Sequence, residues 1–259
     1  MKGLLIAAGR GQRLMPLTDN VPKCYAPIGG RRILDWCVEA LAHAGCRDIV
    51  FIGGYRMERV QTEYPRFRFV HNRDWERNNI LLSLFSARAE MTGGFVSSYA
   101  DILYTPDAVR RLVRHPADIA LLVDTDWRAR YRPRTQHPES DGEKVRLHGD
   151  RITAVGRRIP PDEAPAEFTG VAKFSAAGAR LLLEHFDRAR ARFDGRPFGN
   201  SPSFQRAYLI DLLQAMLADG VPMHAVETFG GYFEVDTTED HRLASRDWDA
   251  SRRRAARGR

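Results

Sequence analysis

The chain has 259 residues, a formal net charge of +7 and only three cysteines. A chain of this length can bury one large hydrophobic core, and no apolar stretch approaches the ~20 residues that a membrane-spanning helix needs. We therefore expect a soluble, cytoplasmic protein without a membrane partner. Cys24, Cys37 and Cys46 lack C-x-x-C spacing, so a disulfide framework and a zinc site are not supported, and buried thiols are predicted.

The first half of the sequence alternates strand and helix patterns with short connections. Strands are predicted at 3–9, 48–54, 67–72, 94–101 and 118–124, and helices at 31–45, 57–64, 78–90 and 105–115. Apolar runs bounded by glycine favour buried strands, and spacing of three and four favours helices. This order predicts an α/β fold whose mainly parallel central sheet carries helices on both faces.

After residue 124 the pattern changes. Residues 126–144 are polar and rich in arginine, and they are predicted to form a long loop. A hairpin about Gly149-Asp150, a strand at 167–174, helices at 175–191 and 204–220, a strand at 222–228 and a loop at 229–244 follow. We interpret 1–259 as a single domain with a nucleotide-type half (1–123), an acceptor-type half (124–250) and a basic tail (251–259).

The positive charge is spread along the chain and does not form a recognition helix or an aromatic platform for bases. The segment "SRRRAARGR", residues 251–259, is interpreted as a frayed and solvated terminus, not as a nucleic-acid-binding arm. A nucleic-acid partner is therefore not predicted.

The segment "AAGRGQRLMPLTDNVPK", residues 7–23, directly follows the first strand. In a sheet of this kind, ligands bind beyond the carboxyl ends of the strands. Gly9 and Gly11 allow close approach of the backbone to phosphate oxygens, Arg13 offers a planar fork, and Lys23 offers a compact positive charge. Leu14 stands where a dinucleotide-binding G-x-G-x-x-G motif would have its third glycine.

This segment resembles the signature of sugar-phosphate-type nucleotidyltransferases, A-A-G-x-G-x-R-L-x-P-L-T followed by P-K. The resemblance implies a Rossmann-like nucleotidyltransferase fold, which joins the α-phosphate of a nucleoside triphosphate to a phosphorylated acceptor and releases pyrophosphate. It also implies that Ala8, Gly9, Gly11 and Arg13 surround the nucleotide and that Lys23 contacts the α-phosphate, so that Lys23 and Arg13 are the predicted catalytic residues.

Two polyanions meet in this reaction, so a divalent cation with carboxylate ligands is expected, and the resemblance indicates Mg²⁺. Asp101 ends the predicted strand "VSSYAD", and Glu234 and Asp236 lie two apart in "YFEVDTTED". The resemblance implies that Asp101 and Asp236 hold the metal, with Glu234 as a third ligand or a neighbour. The alternative for "DTTED" is a helix cap, in which Asp236 or Thr237 caps and Glu239 lies in the first turn.

Three further segments, 71–90, 167–182 and 208–244, are most similar to phosphocholine cytidylyltransferases and to cytidylyltransferases that act on phosphonates. CTP is implied by this similarity alone. Asn78, Asn79 and Lys173 are predicted to contact the acceptor, and Trp75 to line the pocket. The alternatives are a helix N-cap for Asn78 or Asn79, ordinary packing for Trp75 and a solvent-facing strand position for Lys173.

The sequence does not identify the acceptor. A choline group would require an aromatic box, and an anionic phosphonate or phosphate would require arginines. The candidates for the box are Tyr99, Tyr104, Trp127, Tyr131 and Tyr232. The candidates for the anion are Arg128, Arg130, Arg132 and Arg134, in a segment predicted to move and to fold toward the acceptor. The number of arginines favours the anion.

The sequence leaves two alternative functions open. Another enzyme of the same kind, a sugar-1-phosphate nucleotidylyltransferase that uses UTP or dTTP, is the first. A nucleotide-sensing binding protein is the second, but it would not need Arg13, Lys23, Asp101 and Asp236 together. The sequence leaves a homodimer open.

Overall fold

The computed structural model describes residues 1–257, and in it a nine-stranded mixed sheet divides the protein into two layers of helices. The strands of this sheet are β1 (Lys2–Ala7), β4 (Asp48–Gly53), β5 (Arg68–His71), β6 (Phe95–Tyr99), β8 (Ile119–Asp124), β9 (Lys144–His148), β10 (Arg151–Gly156), β11 (Ala166–Phe174) and β12 (His224–Thr228), in the spatial order β5-β4-β1-β6-β11-β8-β12-β10-β9. Two small sheets pair β2 (Pro27–Ile28) with β3 (Arg31–Arg32) and β7 (Ile102–Tyr104) with β13 (Tyr232–Glu234).

The helices largely follow the predicted periodicity. They are α1 (Ile33–His43), α2 (Met57–Glu63), α3 (Ile80–Ser86), α4 (Pro106–Arg114), α5 (Trp127–Tyr131), α6 (Ala176–Phe193), α7 (Leu209–Ala218) and α8 (Thr238–Arg257). Gly45, just after α1, has a φ of +88°, as its predicted position after a helix end requires. None of the described helices is both long and apolar enough to cross a membrane.

Strand direction decides where the loops collect. Strands β4, β1, β5 and β6 are parallel, and β8 and β12 are parallel to each other. The central strand β11 is antiparallel to both β6 and β8, so β6 and β8 point the same way. The carboxyl ends of β1, β6 and β8 therefore lie at one edge of the sheet, which is the edge where ligands bind in such folds.

Alternating side chains of the strands fill two hydrophobic cores. Leu4 and Ile6 of β1 pack in the core beneath α3, α6 and α7, whereas Leu5 packs in the core beneath α1, α4 and α8. This alternation is the period of two expected for a strand buried on both faces. The predicted α/β fold with helices on both faces is confirmed, with an antiparallel strand at the centre of the sheet. The three cysteines are free and buried, as predicted.

The segment 126–144 differs from its prediction as a loop without secondary structure. It contains α5 and a 3₁₀ turn at Glu139–Asp141, and Trp127 and Tyr131 are buried. The sequence did not predict this short helix, because an arginine follows each apolar residue in "WRARYR" and interrupts the apolar spacing that is typical of a helix.

Two arginines of this segment neutralise buried carboxylates. Arg130 forms ion pairs with Asp124, at 2.8 Å, and with Glu167. The Nε of Arg134 lies 2.9 Å from Oδ1 of Asp240, and the two side chains are 1% and 0% exposed. A buried carboxylate is costly without a cation beside it, so these arginines bind the segment to the core.

We expect Arg134→Ala to lower the free energy of unfolding by about 3–5 kcal/mol, because it leaves the buried Asp240 without its cation. Arg132 is exposed, and Arg132→Ala should change stability by no more than about 0.5 kcal/mol. Urea unfolding of both variants measures the difference. Equal stability of the two variants would contradict the structural role of Arg134.

The predicted tail begins inside α8. Ser251 is buried, and its Oγ accepts a hydrogen bond of 2.9 Å from the backbone N–H of Gly231. Helix α8 continues through the arginines to Arg257, so the part of 251–259 within the described residues is helical. Residues 258 and 259 lie outside the described residues, and the division into halves and tail stays a prediction.

Candidate active site

The loop after β1 leaves space for a ligand at one glycine and packs closely at the next. A Cβ on Gly9 would meet no atom within 4 Å, whereas a Cβ on Gly11, whose φ is +68°, would lie 2.8 Å from Cγ of Lys23. Gly11 also accepts a 2.9 Å hydrogen bond from Thr18 on its carbonyl. Glycine is required at position 11 because a left-handed residue with a side chain would displace Lys23.

A small antiparallel sheet joins the two distant acidic segments. Glu234, in β13, is in register with Ile102 of β7, and the N–H of Val235 donates to the carbonyl of Asp101 at 3.0 Å. This pairing brings Asp236 beside Asp101, although the two residues are 135 positions apart in the sequence. The approach of these two carboxylates follows from backbone pairing that no local motif encodes.

Lys23 lies between the two carboxylates. Its Nζ is 2.6 Å from Oδ2 of Asp101 and also donates to Oδ1 of Asp236. Burial alone would lower the pKa of Lys23, but Asp101 and then Asp236 raise it above its ordinary value. Lys23 therefore carries a proton at any physiological pH and offers a fixed positive charge.

Arg13 completes this charged cluster. One of its terminal nitrogens lies 2.5 Å from Oδ2 of Asp236. Burial would raise the pKa of Asp236, but Lys23 and Arg13 hold it below its ordinary value, so Asp236 is ionised. Both predicted cations therefore meet the predicted acidic residues around one point.

His137 joins the acidic cluster as a residue that the sequence prediction missed. Its Nε2 lies 3.5 Å from Glu234 and its Nδ1 lies 3.2 Å from Asp240. Ligand atoms of His137, Glu234 and Asp236 lie within 4.8 Å of one another. Burial, and then Asp236, raise the pKa of Glu234 well above its ordinary value. No pattern in the sequence marks His137, which is a lone histidine in a polar segment.

The helix cap that was the alternative for "DTTED" forms in the structure, and the metal role of Asp236 stays a prediction. Thr237 accepts a hydrogen bond of 3.1 Å from the N–H of Asp240, and Asp240 accepts one of 2.9 Å from the N–H of Thr237. This reciprocal pair caps the start of α8. Asp236, one residue earlier, is thereby free to face Lys23, while Glu239 accepts hydrogen bonds from the backbone of Thr135 and Gln136.

A cavity of about 830 Å³ opens beside this cluster. Its lining includes the loop residues Ala8, Gly9, Gly11 and Arg13, the charged residues Lys23, Asp101 and Asp236, and the more distant Trp75, Asn78, Asn79, Ser83, Tyr99 and Arg206. A volume of this size is in the range of small-ligand sites. Most of the residues predicted from the sequence thus line one cavity at the carboxyl edge of the sheet.

Asn78 and Asn79 line the cavity, and Asn79 is also the helix N-cap that was the alternative for one of the two. Asn79 caps α3 by accepting 2.9 Å from the N–H of Ile80. Asn78 exchanges two hydrogen bonds, of 2.8 and 2.9 Å, with the buried Asn72. Their contact with an acceptor stays a prediction.

Lys173 does not lie in this cavity. In β11 it is in register with Ala120, at the start of β8, and its Nζ donates to the carbonyls of His115, at 2.9 Å, and Ala117. This position is at the edge of the sheet opposite to the site, which contradicts the predicted acceptor contact. The error arose because the antiparallel direction of β11 cannot be recognised in its sequence.

Most of the other residues predicted to contact the acceptor also lie outside this cavity. None of Arg128, Arg130, Arg132 and Arg134 is among the described residues that line the cavity, and Arg128 and Arg132 border a separate cavity of about 430 Å³. Of the five aromatic candidates, only Tyr99 lines the larger cavity. Movement of 126–144 toward the acceptor stays a prediction, but Arg130 and Arg134 are already paired.

Beyond Tyr99 lies a second group of charged residues that the prediction missed. The hydroxyl of Tyr99 donates to Glu143 at 3.2 Å, and Glu143 lies 3.7 Å from the guanidinium of Arg157. Arg157 in turn stacks on the ring of Tyr208 at 3.9 Å. Burial raises the pKa of Glu143 to about 7, and Arg157 offsets this only in part.

Comparisons with known proteins extend over almost the whole chain. The profile of the MobA-like NTP transferase domain matches residues 3–222. The chain is 28% identical over 250 residues to the CTP:phosphoglutamine cytidylyltransferase of Campylobacter jejuni, covering 93% of this chain and 97% of that protein. It is 29% identical over 245 residues to the choline-phosphate cytidylyltransferase of Streptococcus pneumoniae, covering 93% and 96%.

Solved structures share the fold. The CTP:phosphocholine cytidylyltransferase from Streptococcus pneumoniae superimposes with a TM-score of 0.71 at 22% identity and covers 95% of this chain and 97% of its own. The inositol-1-phosphate CTP transferase from T. maritima gives the same TM-score and identity, with 94% of each chain covered. The likeness to these structures establishes the Rossmann-like nucleotidyltransferase fold.

Proposed function

Because the chain belongs to the MobA-like NTP transferase family, we propose that this nucleotidyltransferase moves CMP from CTP to a small phosphorylated or phosphonate acceptor. An oxygen of the acceptor attacks the α-phosphorus of CTP, the bond between the α- and β-phosphates breaks, and pyrophosphate leaves. The observation that carries this proposal is the ammonium group of Lys23, which lies between Asp101 and Asp236 at a glycine-lined cavity.

Each residue of the cluster has a part in this reaction. The positive charge of Lys23 stabilises the charge that accumulates on the α-phosphate oxygens in the transition state. Arg13 holds phosphate oxygens with its planar fork. Gly9 leaves the space into which the triphosphate fits, since no atom lies within 4 Å of its absent Cβ. These residues hold a polyanion that two carboxylates alone would repel.

The carboxylates fit a divalent cation. Asp101, Asp236 and Glu234 would supply the oxygen ligands that Mg²⁺ prefers. Burial, and then repulsion by the charge of Asp236, raise the pKa of Glu234. A cation bound by these residues would relieve that repulsion. When bound, Mg²⁺ would neutralise phosphate charge during transfer.

The preference for CTP and for a small acceptor is supported by the two cytidylyltransferase relatives that match nearly full length. The acceptors named for these relatives, phosphoglutamine and phosphocholine, are both small and phosphorylated. We keep the proposal that the acceptor is anionic, although the arginines of 126–144, which suggested it, do not line the cavity. We also propose that the enzyme acts in the cytoplasm, where CTP is made.

A panel of nucleoside triphosphates tests the proposal. With Mg²⁺ present, CTP should raise the midpoint of thermal unfolding more than UTP, dTTP, GTP or ATP at equal concentration, because a ligand that binds only the folded state stabilises it. Pyrophosphate release should then occur with CTP and either phosphoglutamine or phosphocholine. The chain at the same concentration without acceptor is the control for CTP hydrolysis.

The outcomes separate the functions considered above. Preference for UTP or dTTP with glucose 1-phosphate as acceptor would replace the proposal with a sugar-1-phosphate nucleotidylyltransferase. A thermal shift with CTP but no pyrophosphate from any acceptor would favour a nucleotide-sensing protein.

A further inference from the structure

Arg157 emerges at the edge of the sheet that carries the site, on the acceptor side. It follows Gly156, which is in register with Lys144 of β9. Lys144 is in register with Glu167 of β11, and Glu167 with Asp124 at the carboxyl end of β8. Since β8 points the same way as β1 and β6, Arg157 and the loop after β1 lie at the same edge.

The side chain of Arg157 is held in place, but its hydrogen-bonding capacity is unused. Its guanidinium stacks on Tyr208 at 3.9 Å and lies 3.7 Å from Glu143, which is too far for a hydrogen bond. Within residues 1–257 its N–H groups donate no hydrogen bond, and its Nε is buried without a partner. The side chain is only 32% exposed, so water satisfies this fork of five donors incompletely.

Two other enclosed arginines differ from Arg157 in the length of their ion pairs. Arg130 and Arg134 are each paired with a carboxylate at 2.9 Å or less. Arg157 has a carboxylate nearby, but Glu143 is engaged by the hydroxyl of Tyr99. Arg130 and Arg134 are therefore paired closely with their carboxylates, whereas Arg157 has only a long ion pair and donates no hydrogen bond.

The position of Arg157 is suited to the acceptor and not to the triphosphate. Arg157 is not among the described residues that line the cavity, but Tyr99, which lines it, donates to Glu143, and Glu143 lies 3.7 Å from Arg157. The cations proposed for the triphosphate, Lys23 and Arg13, are paired with Asp236 instead of Glu143. A group that reaches Arg157 therefore belongs to a part of the acceptor remote from the reacting phosphate.

We propose that Arg157 binds a carboxylate that the acceptor carries in addition to its phosphate or phosphonate group, with Tyr208 and Glu143 fixing the guanidinium. This inference rests on the proposed function and names its acceptor class, which is a small phosphorylated carboxylic acid. A planar carboxylate matches the arginine fork with two parallel hydrogen bonds. A quaternary ammonium such as choline would face a cation here and would be repelled.

Matched acceptors test the inference. Phosphoserine and phosphoethanolamine differ only in the carboxylate. Phosphoglutamine has a carboxylate and phosphocholine has none, but they differ in other groups as well and serve only as larger acceptors for comparison. The enzyme should have a higher kcat/KM with a carboxylate-bearing member than with its carboxylate-free counterpart. Arg157→Gln should raise the KM for the preferred carboxylate acceptor about 10- to 100-fold, the usual loss for a charge-assisted pair, and leave the KM for CTP within about threefold.

Two further variants distinguish the loss of an acceptor contact from a general loss of folding. Arg157→Lys keeps the charge but loses the planar fork, so its KM should lie between those of the other two proteins. Arg180→Gln removes an exposed arginine on α6 and should leave both Michaelis constants unchanged. Thermal unfolding of each variant reports whether the fold is retained.

Preference for phosphoethanolamine or phosphocholine would overturn the inference, as would an unchanged acceptor KM in Arg157→Gln. If CTP gives no pyrophosphate with any acceptor, the proposed function fails separately. Calorimetric binding of phosphoglutamine and phosphoserine to the unmodified chain and to Arg157→Gln then decides the role of Arg157. Equal binding by the two proteins, or binding by neither, would overturn it.

Discussion

Lys23→Ala should lower kcat for pyrophosphate release by about 10³-fold while changing the binding of CTP by less than about tenfold, because a charge aimed at the reacting phosphate acts mainly in the transition state. The variant also leaves Asp101 and Asp236 facing each other without the ammonium group that bridges them. Steady-state kinetics and CTP binding by calorimetry measure the two effects separately.

The control for Lys23→Ala is Lys2→Ala. Lys2 lies at the other end of β1, where it pairs with Glu90 at 2.8 Å, so its loss tests for a general effect of removing a partly buried lysine. Turnover should be unchanged in this control. Unchanged turnover in Lys23→Ala itself would remove Lys23 from the mechanism.

Asp101→Asn and Asp236→Asn should each lower the apparent affinity for Mg²⁺ by about 10- to 100-fold, since each removes a charged group at the proposed metal site. Higher Mg²⁺ should restore much of the activity of Asp101→Asn. It should restore less in Asp236→Asn, because Asp236 also holds Arg13 at 2.5 Å. Activity measured over a series of Mg²⁺ concentrations shows both effects.

A matched exposed residue completes this experiment. Asp162 is exposed in a short 3₁₀ turn, and Asp162→Asn should keep the Mg²⁺ dependence of the unmodified enzyme. Full activity of the unmodified enzyme in EDTA would exclude the metal site, whatever the variants show.

The glycine-loop side of the cavity was predictable because its residues are near one another in sequence. The segment 7–23 contains Gly9, Gly11, Arg13 and Lys23, so a local pattern is enough to recognise them. The geometry adds the reason for Gly11, whose left-handed φ of +68° leaves room for the stem of Lys23. The same reasoning located Asp101, because a polar residue at a strand end faces the ligand edge of the sheet.

The surroundings of the cavity away from the glycine loop were less predictable because their residues meet only through long-range pairing. Lys173 was assigned to the site although the antiparallel β11 carries it to the opposite edge. Arg130 and Arg134 resembled free cations of a lid, but buried carboxylates from distant elements engage both. Periodicity reports which face of a strand a residue occupies, but it does not report strand direction or the partner of a charge.

The sequence by itself determined the α/β class, the glycine loop with its two cations, and the acidic residues near the end of the chain, because each depends on neighbouring residues. Only the tertiary structure decided that β7 and β13 pair, which brings Asp236 to Lys23 and Asp101. It also decided that Arg157, which lies outside 126–144, reaches the edge of the sheet that carries the site with a guanidinium that donates no hydrogen bond to a described residue. Strand pairing and charge neutralisation join residues far apart in the chain, and their energies depend on burial and distance, which a local pattern does not contain.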